Sequence, residues 1–86
     1  MHLIRVLNLD AGALMQDEGV VKSVVRKLKI KAKVTMMADN LEITRLGLLA
    51  SMPAIEVDRK IVHKGQPIKL ADTTELFQKL GLINNK

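Results

Sequence analysis

The sequence predicts one α/β domain built on a four-stranded mixed sheet with helices on both faces. Two observations lead to this prediction. A strand–helix–strand pattern fills the first half of the chain, and Pro53 directly precedes two short apolar strands and a final helix in the second half. The predicted element order is therefore β-α-β-α-β-β-α. A chain of 86 residues suits a single domain, so we assign residues 1–86 to it.

The first strand and the first helix are predicted from the first third of the chain. Apolar residues follow one another closely between Leu3 and Asn8, which is typical of a central strand covered on both faces. Asp10 then stands where a helix would begin, and aspartate is a favourable N-cap residue. The apolar residues that follow have the spacing of one helix face, which comprises Leu14, Val21, Val25 and Leu28.

The second predicted strand alternates between apolar and polar residues. Ala32, Val34 and Met36 are predicted on a covered side, whereas Lys31 and Lys33 lie on the other side. Lysines on one side of a strand hinder the addition of another strand at a sheet edge, so we expect an edge strand. Because a helix joins the first two strands, they form a βαβ unit, which predicts a parallel pair with a right-handed crossover.

The second half opens with a short helix and a strand that follows a proline. Asp39 and Glu42 have the spacing of a capping box, and Gly47 stands at the expected end of the short helix. Proline cannot donate a hydrogen bond to a sheet ladder, so Pro53 belongs just before the strand 54–57. Such a placement is typical of a cis X–Pro bond that leads the chain into a sheet beside a groove.

A hairpin and a last helix complete the predicted fold. The strand 60–64 follows Asp58 and Arg59, which favours a tight hairpin. Arginine is unfavourable at positive φ, so a turn looser than two residues is the alternative. Asp72 and Glu75 have the spacing of a second capping box, which predicts that the last helix begins there. The end of the chain is expected to form a partly docked tail.

Composition narrows the range of functions. The chain has no cysteine, which excludes disulfides, thiolate catalysis and thiolate metal sites. The net charge of +5 permits contact with an anionic partner, but Phe77 is the only aromatic residue, so binding of nucleic acid is disfavoured. We interpret the charge as a solvated basic surface, with docking of an acidic partner as the alternative. Its densest cluster comprises Lys27, Lys29, Lys31 and Lys33.

No signal-peptide pattern occupies the N-terminus, and no apolar run is long enough to span a bilayer. We therefore expect a cytoplasmic protein without membrane insertion. His2 and His63 have no carboxylate at a spacing typical of a metal site or a catalytic pair. The glycines form no phosphate-binding loop, so we expect neither a metal nor another cofactor.

Four segments of the second half form a recognisable pattern: Arg45–Gly47, Ser51–Asp58, Lys60–Val62 and Gly65. This pattern resembles the small thioredoxin-like and glutaredoxin-like redox proteins of bacteria and archaea. In those proteins a short helix ends in glycine, a cis-proline opens the third strand, and a hairpin leads to a glycine before the last helix. The resemblance covers nearly the whole chain and implies a minimal thioredoxin fold with a cis bond before Pro53.

That family carries a Cys-x-x-Cys pair where the first strand meets the first helix. The two positions fall on Ala11 and Leu14, so this chain resembles a degenerate member of the family. Thiol–disulfide exchange needs an attacking thiolate, and the chain has none. The resemblance implies that a groove beside the cis-proline remains. Its predicted residues are Ala11, Gly12, Leu14, Ser51, Met52 and Pro53.

Three functions stay open from the sequence. The first is a non-catalytic binding or assembly module that holds a protein or peptide through the cis-proline groove or a sheet edge, with homodimer formation as an option. The second is a domain that binds glutathione or another thiol ligand through the backbone at Pro53. The third is a basic domain associated with nucleic acid. Leu14 and Met52 also have a purely structural interpretation, in which they fill the space of the missing sulfur atoms.

Overall fold

The computed structural model describes residues 1–82, which contain seven regular elements. The tail predicted at the end of the chain lies, from Ile83 onward, outside the described residues. The strands are β1 (His2–Leu7), β2 (Ala32–Met37), β3 (Ala54–Val57) and β4 (Lys60–Lys64), and the helices are α1 (Ala11–Lys27), α2 (Asn40–Arg45) and α3 (Leu70–Lys79).

The four strands of the described range form one sheet in the order β2-β1-β3-β4. β1 and β2 are parallel, whereas β1 pairs with β3, and β3 with β4, in antiparallel fashion. The mixed sheet, the central position of β1 and the edge position of β2 confirm the predicted α/β class. The arrangement is compatible with a minimal thioredoxin-like fold.

Two clusters of buried side chains lie on opposite faces of the sheet. Successive residues of a strand point to opposite faces, so Val6 and Leu7 enter different clusters. α1 and α3 cover the first face through Val24 and Phe77, and α2 covers the second face through Ile43. Among residues 1–82, none of these helices has both the length and the apolar character of a membrane span.

The helices leave parts of the sheet uncovered. α2 is only six residues long, and Leu3 on its face of the sheet is 53% exposed. The prediction that β1 is covered on both faces is therefore wrong at its beginning. Met36, predicted on the covered side of β2, is 46% exposed. β2 is an edge strand, so no further strand of the described range shields its outer flank.

Two predicted helix starts are confirmed and one is wrong. The carboxylates of Asp10 and Asp39 each accept a hydrogen bond from a backbone N–H in the first turn of their helix. The start predicted at Asp72 is wrong, because α3 has Lys69 as its N-cap residue. The Thr73 N–H already donates to the Lys69 carbonyl at 2.9 Å, so Asp72 lies inside the first helical turn.

The hairpin between β3 and β4 closes with two residues, which confirms the tight hairpin and excludes the looser turn. Asp58 and Arg59 have φ values of 49° and 70°, and a type I′ turn requires positive φ at both positions. The Leu3 N–H and the His2 Nδ1–H donate hydrogen bonds to the Asp58 carboxylate at 2.9 and 2.7 Å. These bonds tie the turn to the start of β1 and offset the strain of a left-handed arginine.

Replacing Arg59 by glycine should stabilise the protein. Glycine adopts positive φ without the steric penalty of other residues, and Asp-Gly is a favoured type I′ pair. We expect the free energy of unfolding to rise by about 1 kcal/mol, which corresponds to a Tm increase of about 4–8 °C in a domain of this size. Arg59→Ala is the control, because it removes the charge but keeps the Cβ atom. An equal gain in both variants would contradict a strained turn.

The contact between His2 and Asp58 should make stability depend on pH. The hydrogen bond from His2, together with the Leu3 N–H, holds the pKa of Asp58 below its ordinary value of 3.8. Folding therefore favours the ionised carboxylate. This contribution is present above about pH 4 and is lost as the pH falls through the lower folded-state pKa.

Asp58→Asn tests this dependence, because asparagine tolerates positive φ but cannot ionise. Urea unfolding of both proteins between about pH 2 and pH 7 should show a smaller loss of stability in the variant at the acid end. The same pH profile in both proteins would show that the carboxylate does not contribute.

Candidate functional site

The predicted groove residues gather at one end of the sheet. Leu7, the last residue of β1, pairs with Ala54, the first residue of β3. The start of α1, which follows β1, and the segment that precedes β3 therefore lie at the same end. The peptide bond between Met52 and Pro53 is cis, as the sequence predicts.

Asn8 fixes the loop between β1 and α1. Its Oδ1 accepts a hydrogen bond from the Asp10 N–H at 3.0 Å, and its Nδ2 donates to the Asp17 carboxylate at 3.2 Å. Its own N–H donates to the Met37 carbonyl. A buried amide with both ends bonded makes this loop rigid. Asn8 is not among the predicted site residues; its signal in the sequence is a polar residue between an apolar strand and an N-cap.

The groove residues of α1 differ in exposure. Ala11 and Gly12 are exposed in the first turn. A Cβ atom at position 12 would lie 3.5 Å from the nearest carboxylate oxygen of Asp10, which is an ordinary contact. Leu14 is only 4% exposed and belongs to the first core cluster. Of the two positions that hold cysteine in the family that the sequence resembles, one is therefore exposed and the other buried.

A short network of backbone hydrogen bonds holds the segment before β3. The Gly65 N–H donates to the Ser51 carbonyl at 2.9 Å and to the Pro53 carbonyl at 3.1 Å. The Ser51 N–H in turn donates to the Leu48 carbonyl at 2.8 Å. Gly65 has a φ of +78°, a conformation that favours glycine. The residues on either side of Met52 are thus held by the end of β4.

Met52 lies between these held residues, and its own backbone groups differ from theirs. Neither its N–H nor its carbonyl has a hydrogen-bond partner within residues 1–82. Its side chain packs against the second core cluster, whereas Leu14 belongs to the first. Both side chains therefore contribute to packing, on opposite faces of the sheet. The use of the groove for binding stays a prediction.

A second polar site lies on the α2 face of the sheet. Arg5 in β1 pairs with Glu56 in β3, and its Nε and Nη2 atoms donate to the two carboxylate oxygens at 2.6 and 2.9 Å. A carboxylate oxygen of Glu42 in α2 lies 3.8 Å from Arg5 Nη2. The Glu56 side chain is only 9% exposed, so this bidentate ion pair is largely shielded from water.

The surroundings of Arg5 favour the charged form of its guanidinium. The hydrogen bond with Glu56 is the main reason that the pKa of Arg5 is raised, and the charges of Glu56 and Glu42 add to it against partial burial. An open depression of ≈ 460 Å³ lies beside the pair and is also lined by Lys33 and Arg59. The sequence signal for the pair is a lone charge within each of two apolar strands. Its contacts join α2 and β3 to β1, which is a structural role.

Both histidines have a hydrogen-bond partner, His2 a distant one and His63 a local one. His2 donates to the Asp58 carboxylate, a pairing that sequence spacing does not reveal because 56 positions separate the two residues. His63 Nε2 donates to the Gln66 carbonyl at 2.6 Å. In the described part of the chain, no three histidine, aspartate or glutamate residues are grouped so that they could hold a metal ion.

No family model, no curated protein and no solved structure matches this chain. The likeness to thioredoxin-like redox proteins therefore rests on the sequence pattern and on the fold, and family membership is a proposal. The function of the site is therefore inferred from its own chemical groups. These are an exposed helix start, a cis-proline and an unpaired stretch of backbone, without a thiol.

Removing the charge of Glu56 should destabilise the protein. Glu56→Gln leaves the Arg5 guanidinium with a neutral partner in a shielded place, so we expect the free energy of unfolding to fall by about 1–3 kcal/mol. Urea unfolding followed by far-ultraviolet circular dichroism measures this loss.

Glu42→Gln is the matched control for this experiment. It removes the same charge from the same guanidinium, but at 3.8 Å and at a more exposed site. Its loss should stay below about 1 kcal/mol. Losses of the same size in both variants would show that the bidentate geometry adds nothing to the free energy of unfolding.

Proposed function

We propose that this chain is a non-catalytic thioredoxin-like module that binds an extended segment of a partner protein in the cis-proline groove. The observation that carries this proposal is the unpaired backbone of Met52 between two residues that are held in place. An extended peptide that runs alongside can supply partners for both the N–H and the carbonyl, as in other cases of strand addition.

The groove is organised before any partner arrives. Gly65 holds Ser51 and Pro53 from one side, and Asn8 holds the loop that leads into α1. Because these groups are already ordered, the entropy lost on binding falls mainly on the partner segment. This arrangement supports recognition of a main chain through directed hydrogen bonds.

The groove offers contact without covalent chemistry of its own. Ala11 and Leu14 stand where the resembled family carries sulfur, and the chain has no cysteine. The small side chains of Ala11 and Gly12 leave the start of α1 open to a partner. These features favour a binding module over a thiol–disulfide oxidoreductase.

Two other functions have less support. Phe77 is the only Phe, Tyr or Trp residue and is fully buried, so no phenyl, phenol or indole ring is exposed for a base to stack on. A thiol ligand such as glutathione would use the same backbone groups of Met52. Thermal stabilisation by millimolar glutathione would assign the groove to that ligand instead of a peptide.

Screening a library of random peptides on the immobilised full chain tests the proposed function. We expect enriched peptides to bind the chain in calorimetry, and Met52→Asp to weaken that binding by about tenfold or more because it places a charge beside the peptide path. Met52 also contacts the core, so Ala11→Trp provides a second variant. It fills the groove from an exposed position and should weaken binding by a similar factor.

Leu80→Asp is the matched control for these variants. Leu80 is exposed at the C-cap position of α3 and is not one of the groove residues. The control should bind the enriched peptides as tightly as the original chain. Peptides that bind all four proteins equally well, or a library that yields no binder, would refute the proposed groove.

A further inference from the structure

The free edge of β2 is a second surface without a partner among residues 1–82. The N–H groups of His2 and Asn8 donate to the carbonyls of Lys31 and Met37, so the odd-numbered residues of β2 bond to β1. The direction of the backbone groups alternates along a parallel strand, so the even-numbered residues direct their N–H and carbonyl groups away from the sheet. These outward-facing residues are Ala32, Val34 and Met36.

A depression of ≈ 410 Å³ runs along this edge on the α1 face of the sheet. Val25 and Val34 contribute to its apolar surface. Three cations from the second half of α1 and the turn after it also line the depression: Lys22, Arg26 and Lys29. The site therefore combines an apolar surface with positive charge, and it borders the outward-facing backbone of β2.

The opposite face of the same edge has a different character. Lys33 and Thr35 of β2 line the depression beside the Arg5–Glu56 pair. Lys31 and Lys33 are both exposed. β2 thus presents apolar residues toward α1 and lysines toward the other face. A neighbouring strand alternates in the same way, so it would meet apolar surface with one set of side chains and positive charge with the other.

Positive charge decides what can cover this edge. Five cations lie in or beside it: Lys22, Arg26, Lys29, Lys31 and Lys33. Glu18 pairs with Lys22 at 3.4 Å and offsets one of them. If the β2 edges of two copies paired about a two-fold axis, Lys31 and Lys33 of both copies would lie on the same face of the joined sheet, and like charges on adjacent strands are unfavourable. The charge therefore disfavours a second copy and favours an acidic partner.

We propose that the free edge of β2 accepts an extended acidic segment of another protein as a fifth strand. Hydrogen bonds to Ala32, Val34 and Met36 form the ladder. Apolar side chains of the partner lie over the apolar surface at Val25 and Val34, and acidic side chains on the opposite face lie beside Lys33. This surface is separate from the cis-proline groove and does not depend on the function proposed there.

Nuclear magnetic resonance with a defined peptide tests this proposal on the full chain. The probe is an acetylated and amidated peptide of alternating glutamate and valine. We expect it to shift the amide signals of Ala32, Val34 and Met36 and to slow their hydrogen exchange, because these N–H groups gain acceptors. The same peptide with N-methyl groups on its valines has the same charge but fewer donors for the ladder, and it should bind at least about tenfold more weakly.

A pair of double variants locates the surface. Lys31→Glu with Lys33→Glu reverses charge at the β2 edge and should weaken peptide binding by about tenfold or more. Lys60→Glu with Lys64→Glu makes the same change in net charge on β4, the other edge strand, and should weaken binding by less than about threefold. Circular dichroism verifies that both variants are folded.

Three results would overturn the proposal. Equal affinity for the N-methylated peptide would mean that no ladder forms. Equal weakening by the two double variants would mean that the peptide responds only to overall charge. A short DNA duplex that displaces the peptide from the same amides at equal concentration would make the surface a general site for polyanions.

Discussion

The register between β1 and β3 is the constraint on which the rest of this molecule depends. It sets Leu7 opposite Ala54, which brings the cis-proline segment to the start of α1. The same register sets Arg5 opposite Glu56, which closes a shielded ion pair on the α2 face. A slip of one residue would turn every side chain of β3 to the wrong face. The groove, the ion pair and both core clusters therefore require the same alignment.

Features that depend on a few neighbouring residues were predictable from the sequence. The N-caps at Asp10 and Asp39, the βαβ unit and the cis bond before Pro53 are all of this kind, because local chemistry determines them. The resemblance to thioredoxin-like proteins predicted that Met52 lies at the same end of the sheet as the start of α1. The helix start predicted at Asp72 is wrong because Asp72 and Glu75, which have the spacing of a capping box, both lie inside α3, which begins at Leu70. Tertiary placement there prevailed over local preference.

Features that depend on distant residues were not predictable. The Arg5–Glu56 pair joins residues 51 positions apart, and only the strand register brings them together. The Asp58 side chain accepts hydrogen bonds from the first residues of β1. These bonds stabilise a turn in which Arg59 has an unfavourable positive φ. The separation of Leu14 from Met52 likewise follows from the two faces of the sheet, which single residues in a sequence do not reveal.

The burial of Phe77 has a spectroscopic consequence. It is the only aromatic residue in the chain, and its ring lies wholly inside the cluster between α1, α3 and the sheet. Near-ultraviolet dichroism therefore reports the ordering of that cluster alone and is blind to the cluster under α2. A chromophore placed beside Ile43 would give the second cluster a signal of its own. The two core clusters can thus be observed separately, because no other aromatic residue contributes to the near-ultraviolet signal.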